Sequence, residues 1–281
     1  MLKLTLTDAE GIPPCPALEG PEVDHWRDAM GSVIAHAIKA GESHWVVVPG
    51  TATFCFGHGS SEALGVPHPG VAVEYVHEVF RRTVLSPALQ ALGLEALHAS
   101  GVRTGHGVVA LCGASGAGKS TLAFALGQRG YPIWADDTMV LEPKEGRVLA
   151  VPTPFKLRLR PPVATFFGLT ATPACGQDEP SREPVPLAGV LLLERVSAST
   201  SERALELLRL SASDAFVRAL RHVNCFSFRD SVQKRRLLDN YLALVASVPV
   251  FTLRFASDLA RLPEVVDALA AAIDRAFAPP P

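Results

Sequence analysis

A glycine-rich segment, Gly113-Ala-Ser-Gly-Ala-Gly-Lys-Ser-Thr121, is the feature that most constrains how this chain can fold. It fits the pattern G-x-x-x-x-G-K-[ST]. The apolar residues 107–111 precede it, and an amphipathic run over residues 119–128 follows it and ends before Gly130. This order predicts a short buried strand, a tight loop and a helix. A unit of this kind requires a β-sheet with helices packed on its faces.

The residue types of this segment are suited to holding a polyphosphate. Glycines let the backbone adopt positive φ and approach phosphate oxygens closely, so that successive N–H groups point into one concavity at the amino end of a helix. Lys119 would reach the β- and γ-phosphates, and the Ser120 hydroxyl would bind Mg²⁺, which prefers oxygen ligands. We predict ATP and Mg²⁺ as cofactors, bound by Gly113, Ala114, Ser115, Gly116, Ala117, Gly118, Lys119, Ser120 and Thr121. The alternative, a turn that merely joins a strand to a helix, leaves the lysine unexplained.

Two adjacent carboxylates, Asp136 and Asp137, lie within a predicted apolar strand over residues 131–141. Side chains alternate along a strand, so this pair cannot point the same way unless the strand ends there. We predict that Asp136, if it faces the phosphates, holds Mg²⁺ or accepts the proton of an attacking hydroxyl, the second role being the one preferred for the mechanism. Asp137 then takes the role that Asp136 leaves, at a bent strand end. The alternative is a pair that only starts a turn.

His98 lies in a predicted strand over residues 94–102, ahead of the glycine-rich segment. A single histidine in a strand is usually a buried structural residue. If it lies near the two carboxylates, however, it can orient them and take part in catalysis. Three basic residues, Lys156, Arg158 and Arg160, alternate along a predicted strand over residues 155–159 and therefore share one face. That face is either solvated, which the pattern favours, or in contact with a phosphate or an acidic substrate.

The spacing of apolar residues in the rest of the chain indicates an α/β fold. Helical spacing is found at residues 23–40, 71–92, 213–222, 232–248 and 262–277, and further strands are predicted at 147–151, 188–193, 205–210 and 249–255. A hairpin is predicted from residues 44–48 and 51–56, with loops over 57–70 and 161–181. We expect a mixed β-sheet flanked by helices over residues 94–278, preceded by a small α+β extension over residues 1–93.

Composition excludes several classes of protein. Hydrophobic residues make up 48% and charged residues 19%, which is typical of a globular chain and not of a disordered one. The net charge of −2 argues against a nucleic-acid partner bound through bulk charge. The five cysteines form no C-x-x-C pair, so we expect a cytoplasmic location and neither a disulfide framework nor a zinc site. The sequence contains no signal-peptide pattern and no apolar run of about eighteen residues, so no membrane partner is expected.

At these residues the chain resembles the HPr kinase/phosphorylase-like serine kinases, a group that includes lasso-peptide precursor kinases. The resemblance covers roughly residues 94–277. It is carried by Leu97-His-Ala-Ser100, residues 113–121, Arg129-Gly130, Ala135-Asp-Asp137 and the strand at residues 249–253. It implies a P-loop kinase core on a mixed sheet, similar to phosphoenolpyruvate carboxykinase. It also implies a catalytic group of Lys119, His98, Asp136 and Asp137, in which the aspartates supply a general base and metal contacts.

Two departures from that family affect the expected substrate. Thr121 stands where bacterial HPr kinases typically have glutamate, and the chain has no P-G-R-N-like segment of the kind linked to phosphorolysis. The resemblance therefore implies a kinase that transfers the γ-phosphoryl group of Mg-ATP to a hydroxyl of a peptide, a protein or a small molecule, and not to HPr. The expected partner is a peptide or protein bearing an acceptor serine, such as a ribosomal peptide precursor. HPr kinases assemble as hexamers, and a homo-oligomer stays open here because the sequence specifies no interface.

Other nucleotide-binding classes fit less well. The sequence has no L-S-G-G-Q stretch of an ABC-type ATPase and no N-K-x-D to read guanine. The alternative that stays open is an ATP-binding regulatory module, or an ATPase without a phosphoacceptor, because the sequence does not reveal an acceptor site.

Overall fold

The computed structural model describes residues 2–19, 23–28, 30–169, 176–177, 183–196, 204–223 and 231–277. Cys175 and Cys225 lie outside these ranges, whereas Cys15, Cys55 and Cys112 are free thiols. The chain divides into two compact units. The first comprises residues 1–95 and 224–238, and the second comprises residues 96–223 and 239–281.

The first unit is built on a six-stranded mixed sheet with the strand order β1-β6-β5-β4-β3-β2. β1 and β6 are parallel, and the other neighbours are antiparallel. A helix, α1, continues through a π-helical turn (Phe80–Val84) into α2, and their apolar residues pack with those of the sheet. The strands are β1 (Lys3–Leu6), β2 (Asp24–Arg27), β3 (Val33–Ala40), β4 (Ser43–Val48), β5 (Ala52–Gly57) and β6 (Glu62–Pro67), and the helices are α1 (Val73–Val79) and α2 (Leu85–Ala91).

The helix predicted over residues 23–40 is wrong, because this segment forms the β2–β3 hairpin. The Asp28 side chain accepts hydrogen bonds from the N–H groups of Met30 and Ser32, both at 2.9 Å, and Gly31 has a φ of +83°. These contacts form a turn that interrupts any helix. The β-branched residues Val33 and Ile34 then favour a strand.

The predicted loop over residues 57–70 is also wrong in part, since it contains β6. This strand pairs with β5 on one side and with β1 on the other. The hairpin predicted at residues 44–48 and 51–56 is confirmed as β4 and β5, and the helical segment predicted at 71–92 is confirmed as α1 and α2.

A nine-stranded mixed sheet forms the centre of the second unit. One part of it has the order β10-β8-β9-β15-β17-β16, and a second arm, β12-β11-β7, begins at the first half of β15. β9, β15 and β17 run parallel to one another. The strands are β7 (Glu95–Leu97), β8 (Ala99–Thr104), β9 (Gly107–Cys112), β10 (Ile133–Ala135), β11 (Met139–Lys144), β12 (Arg147–Val151), β15 (Val185–Val196), β16 (Leu205–Arg209) and β17 (Val250–Ala256), while β13 (Phe155–Lys156) and β14 (Gly176–Gln177) pair separately.

Helices flank this sheet. α3 and α7 share a core with the parallel strands, in which Leu111, Leu122, Leu191, Leu253 and Leu269 are all buried. Within the described ranges, no helix is both long enough and apolar enough to cross a bilayer. The predicted mixed α/β class is confirmed. The helices of this unit are α3 (Lys119–Gly127), α4 (Pro161–Phe166), α5 (Ala212–Ala219) and α7 (Leu262–Ala276), while α6 (Ser231–Ser247) has its residues up to 238 in the first unit and the rest in the second.

Two predicted strands of the second unit are divided in the structure, a third is shortened, and a fourth, expected at residues 188–193, is extended to form β15. The strand expected at residues 94–102 is divided into β7 and β8 at His98, and the one expected at 131–141 is divided into β10 and β11 at the two aspartates. The strand expected at 155–159 is only β13. The region expected to be a loop from residue 161 begins with α4, because Pro161 and Pro162 occupy the first helical turn, where proline is tolerated.

Candidate active site

The predicted site residues meet at one edge of the nine-stranded sheet. β9 ends at Cys112, and Ala99, the first residue of the antiparallel neighbour β8, is paired with it. β10 is antiparallel to β8, so its last residue, Ala135, reaches the same edge. This topology brings the glycine-rich segment, His98 and Asp136 together, although they are distant in sequence.

Residues 113–118, which we call the glycine loop, connect β9 to α3. Gly116 and Gly118 have φ values of +84° and +104°, in the region that glycine adopts without steric cost. The carbonyl of Gly118 accepts the first helical hydrogen bond, from the N–H of Leu122 at 2.8 Å. The strand–loop–helix order predicted from the sequence is therefore present, and two of its glycines are required by backbone conformation.

Lys119 is buried at the first position of α3, with only 7% of its surface exposed. Its ammonium donates to the carbonyls of Gly113 at 2.9 Å and Ala114 at 3.3 Å, and it lies 3.0 Å from Nε2 of His98. Burial lowers the pKa of Lys119, and the nearby charges of Asp137 and Asp136 offset this only in part. The three N–H groups of the Lys119 ammonium thus have three acceptors. A phosphate oxygen that replaced one of these acceptors would also reduce the free-energy cost of burying the ammonium charge.

Asp136 is held by three donors from three parts of the second unit. Its Oδ1 accepts hydrogen bonds from the hydroxyls of Ser100 at 2.6 Å and Ser120 at 2.8 Å, and its Oδ2 accepts one from the N–H of Arg158 at 3.2 Å. Ser100 lies on β8 and is fully buried, and Ser120 lies in the first turn of α3. The carboxylate is therefore fixed beside the hydroxyl that was predicted to bind Mg²⁺.

Asp137 lies at the break between β10 and β11, with its Oδ1 3.4 Å from Nδ1 of His98. It has a φ of +66°, unusual for a residue with a Cβ, and 75% of its side chain is exposed. Its carbonyl accepts a hydrogen bond at 2.9 Å from Nδ1 of His98. Because a carbonyl only accepts, this nitrogen carries the proton and Nε2 is left to accept from Lys119. His98 thus links Lys119 to the backbone of Asp137.

Two arginines contact Gly116 from different elements. A Cβ atom at this glycine would lie 2.9 Å from Nη2 of Arg160. Arg195, near the end of β15, donates from Nη1 to the carbonyl of Gly116 at 3.2 Å and from Nη2 to that of Ser257 at 3.0 Å. The glycine loop therefore lies in a cationic environment formed by Lys119 and two guanidinium groups.

Several neighbours of the site have no distinguishing signal in the sequence. Ser100 ends the Leu97-His-Ala-Ser100 match, which assigns it no role, and Arg195 lies near the end of the long apolar strand β15. His222, whose carbonyl accepts from the N–H of His98 at 2.7 Å, has its pKa lowered by burial and then by the charges of Lys119 and His98. Only pairing between distant segments places these residues at the site, so local sequence patterns do not reveal them.

The oxygen donors here suit Mg²⁺. Among the described residues there is no group of three or more His, Cys, Asp or Glu side chains that could hold a metal by themselves. Mg²⁺ bound with a nucleotide, however, takes only one or two protein ligands, and phosphates and water supply the rest. The adjacent oxygens of Ser120 and Asp136, 2.8 Å apart, match that requirement.

Comparison with known proteins gives little beyond this geometry. No family model and no curated protein matches the chain. A solved structure of the HPr(Ser) kinase/phosphatase from Coxiella burnetii is similar to 65% of this chain and 92% of its own, with 15% sequence identity and a TM-score of 0.38. The function proposed below rests on the geometry of the candidate site.

Proposed function

We propose that this chain is an ATP-dependent phosphotransferase that moves the γ-phosphoryl group of Mg-ATP to a hydroxyl, and that the acceptor is a serine of a peptide or protein. The observation that carries the proposal is the convergence of Lys119, Ser120, Asp136, Asp137 and His98 beside the glycine loop. A cation, a hydroxyl held by a buried carboxylate and an exposed carboxylate are the groups that phosphoryl transfer requires.

Nucleotide binding follows from the loop and the start of α3. The N–H groups in the first turn of a helix have no intrahelical partner, and the helix dipole favours an anion there. Lys119 lies at this position, and it would exchange its contacts with the Gly113 and Ala114 carbonyls for phosphate oxygens. The guanidinium group of Arg195, which donates to the carbonyl of Gly116, adds positive charge beside the loop.

The metal role falls to Ser120 and Asp136. Bound Mg²⁺ would neutralise charge on the β- and γ-phosphoryl oxygens. Ser100 and the N–H of Arg158 orient the carboxylate of Asp136 by donating to its two oxygens. These hydrogen bonds favour a fixed metal ligand over a proton acceptor, because the lone pairs that face the protein are already used.

The proton-accepting role then falls to Asp137, whose side chain is exposed at the same edge of the sheet. The acceptor oxygen attacks the γ-phosphorus and forms a new O–P bond. The bond between the γ-phosphorus and the β–γ bridging oxygen breaks, and ADP leaves with that electron pair. The proton of the acceptor hydroxyl passes to the carboxylate of Asp137. His98 holds the backbone of Asp137 through Nδ1 while it accepts from Lys119 through Nε2.

The test is incubation of the protein with Mg-ATP and candidate serine peptides, including those encoded beside its gene, followed by mass spectrometry. A gain of one phosphate on a peptide, lost in Asp136→Asn and Lys119→Met and retained in Arg147→Ala, supports the proposal. Arg147 is a suitable control because it is an exposed residue of β12 that makes no described side-chain contact. Phosphate release without a labelled peptide would instead indicate an ATPase, and tight binding without turnover would indicate a regulatory module.

A further inference from the structure

The backbone after β13 is anchored to the core by alternate residues. Leu157 and Leu159 are buried and cluster with Phe124 of α3. Because side chains alternate in an extended segment, Arg158 and Arg160 are directed to the opposite side, and both are exposed. We call residues 157–160 the arginine segment. Its two leucines fix its position relative to α3, the helix that begins with Lys119.

Arg160 reaches the glycine loop from this segment. A Cβ atom at Gly116 would lie 2.9 Å from Nη2 of Arg160 and 3.3 Å from both its Cζ and its Nη1, so the guanidinium occupies the space beside this glycine. Arg160 is also the N-cap of α4, and its carbonyl accepts from the N–H groups of Val163 at 2.9 Å and Ala164 at 3.0 Å. The backbone at Arg160 is therefore fixed on its N-terminal side by the buried leucines and on its C-terminal side by the hydrogen bonds at the start of α4.

The charge of Arg160 has no counter-ion within the part of the chain that the structure describes, since no carboxylate there lies within salt-bridge distance of it. Arg195, the other guanidinium beside Gly116, already donates to two backbone carbonyls. A planar guanidinium matches phosphate oxygens with two parallel hydrogen bonds, which a lysine does not provide. Of the two arginines, Arg160 is thus the one suited to an incoming phosphoryl group.

The arginine segment also contacts the candidate metal ligand, because the N–H of Arg158 donates to Oδ2 of Asp136 at 3.2 Å. One short stretch of backbone therefore sets the position of Arg160 relative to both Gly116 and Asp136. With Mg-ATP bound as proposed above, the charge that develops on the γ-phosphoryl oxygens during transfer would arise between these groups. Fixed positive charge at that place lowers the barrier, because it requires no reorganisation during the reaction.

We propose that Arg160 is a catalytic residue that stabilises negative charge on the transferred phosphoryl group, which extends and rests on the phosphotransfer proposed above. During phosphoryl transfer, Arg160 donates hydrogen bonds to oxygens of the γ-phosphoryl group. At the same time the bond between the γ-phosphorus and the bridging oxygen breaks, and the bond between the γ-phosphorus and the acceptor oxygen forms. It exchanges no proton, and it would contribute more to the transition state than to the binding of ADP.

The experiment measures the affinity of the full chain for Mg-ADP, with and without aluminium fluoride, which mimics the phosphoryl group in the transition state of transfer. The proteins are wild type, Arg160→Ala, Arg160→Lys and the control Arg147→Ala. We expect wild type and Arg147→Ala to bind Mg-ADP much more tightly with aluminium fluoride. Arg160→Ala should bind Mg-ADP alone as wild type does, lose this enhancement and transfer phosphate about 10²–10³-fold more slowly. Added guanidinium ion should restore part of the rate in Arg160→Ala, and Arg160→Lys should be intermediate.

The outcomes separate this inference from the proposed function. If the wild type fails to bind Mg-ADP, the proposed function and this inference both fall. If the wild type binds and shows the enhancement, but Arg160→Ala keeps it and keeps its rate as Arg147→Ala does, only the role of Arg160 is overturned. An equal loss of Mg-ADP affinity with and without aluminium fluoride would also overturn it, since it would assign Arg160 to ground-state binding.

Discussion

Substitutions of Asp137 should separate the stability of the protein from its chemistry. This residue has a φ of +66°, and 75% of its side chain is exposed, so its replacement removes little buried surface. A positive φ costs a residue with a Cβ about 1–2 kcal/mol, whereas glycine adopts it freely. The hydrogen bond from His98 goes to the Asp137 carbonyl and survives any substitution, whereas the 3.4 Å contact of the same nitrogen with Asp137 Oδ1 is lost but is too exposed to contribute much stability.

The expected order of stability follows from these values. Glycine relieves the strain but loses about 0.5–1 kcal/mol through its greater freedom in the unfolded chain. Asp137→Gly should therefore be as stable as the wild type or slightly more stable, and Asp137→Ala should be about 1 kcal/mol less stable than Asp137→Gly. Asp137→Asn should match the wild type, because asparagine tolerates this conformation. All three should lose transfer activity by about 10²–10⁴-fold, since none can accept the proton.

Thermal unfolding and phosphate transfer, measured on the same preparations, test both parts. A difference of about 1 kcal/mol corresponds to a shift of about 2–4 °C in Tm for a chain of this size. If Asp137→Ala melts with or above Asp137→Gly, the argument from backbone strain fails. If Asp137→Asn transfers phosphate at the wild-type rate, Asp137 is not the proton acceptor.

Two further predictions concern buried groups beside the loop. Burial lowers the pKa of Lys119 in the folded protein, so the buried charge reduces the free energy of unfolding at neutral pH. As the pH rises through the lowered pKa toward 10.5, the folded protein loses this proton before the unfolded chain does, and the free energy of unfolding increases. Denaturation of Lys119→Met from neutral pH to 10.5 should lack that gain in stability relative to the wild type, and equal pH profiles would contradict the assignment. Ser100→Ala removes a buried 2.6 Å hydrogen bond to a carboxylate and should cost about 1.5–3 kcal/mol in urea denaturation. It should also weaken Mg²⁺ binding in the presence of ADP by about 10–100-fold, and unchanged Mg²⁺ affinity would refute its orienting role.

The elements around the glycine loop could be predicted because their signals are local. The apolar run before Gly113 and the glycines that require positive φ each specify structure within a few residues, whereas the helix after them is buried continuously over residues 122–126 and lacks the amphipathic spacing expected for residues 119–128. The break at Asp136 and Asp137 was not predicted, since the expected strand runs through to residue 141; the sequence gives only the condition that two adjacent carboxylates point the same way where a strand ends.

The predictions that were wrong or missing have physical causes that act at longer range in the chain. Residues 23–40 have helical spacing, yet the side-chain hydrogen bonds of Asp28 form a turn, and pairing with β4 completes a strand. The contacts of Ser100 with Asp136 and of Arg160 with Gly116 join segments whose separation is fixed only by the register of the sheet and the packing of Leu157 and Leu159. No local pattern encodes such a distance.

The central position of β15 has a consequence for how the second unit folds. Val190 pairs with Ala110 on one side and with Val250 on the other, so this strand has no partner close to it in the chain. Chains that depend on such remote pairings fold slowly, because the entropy of closing long loops is lost before contacts compensate for it. Gly189 lies in this strand, where a Cβ would collide with the ring of Phe277. We therefore expect substitutions there to reduce the yield of folded protein, even though Gly189 touches none of the reacting groups.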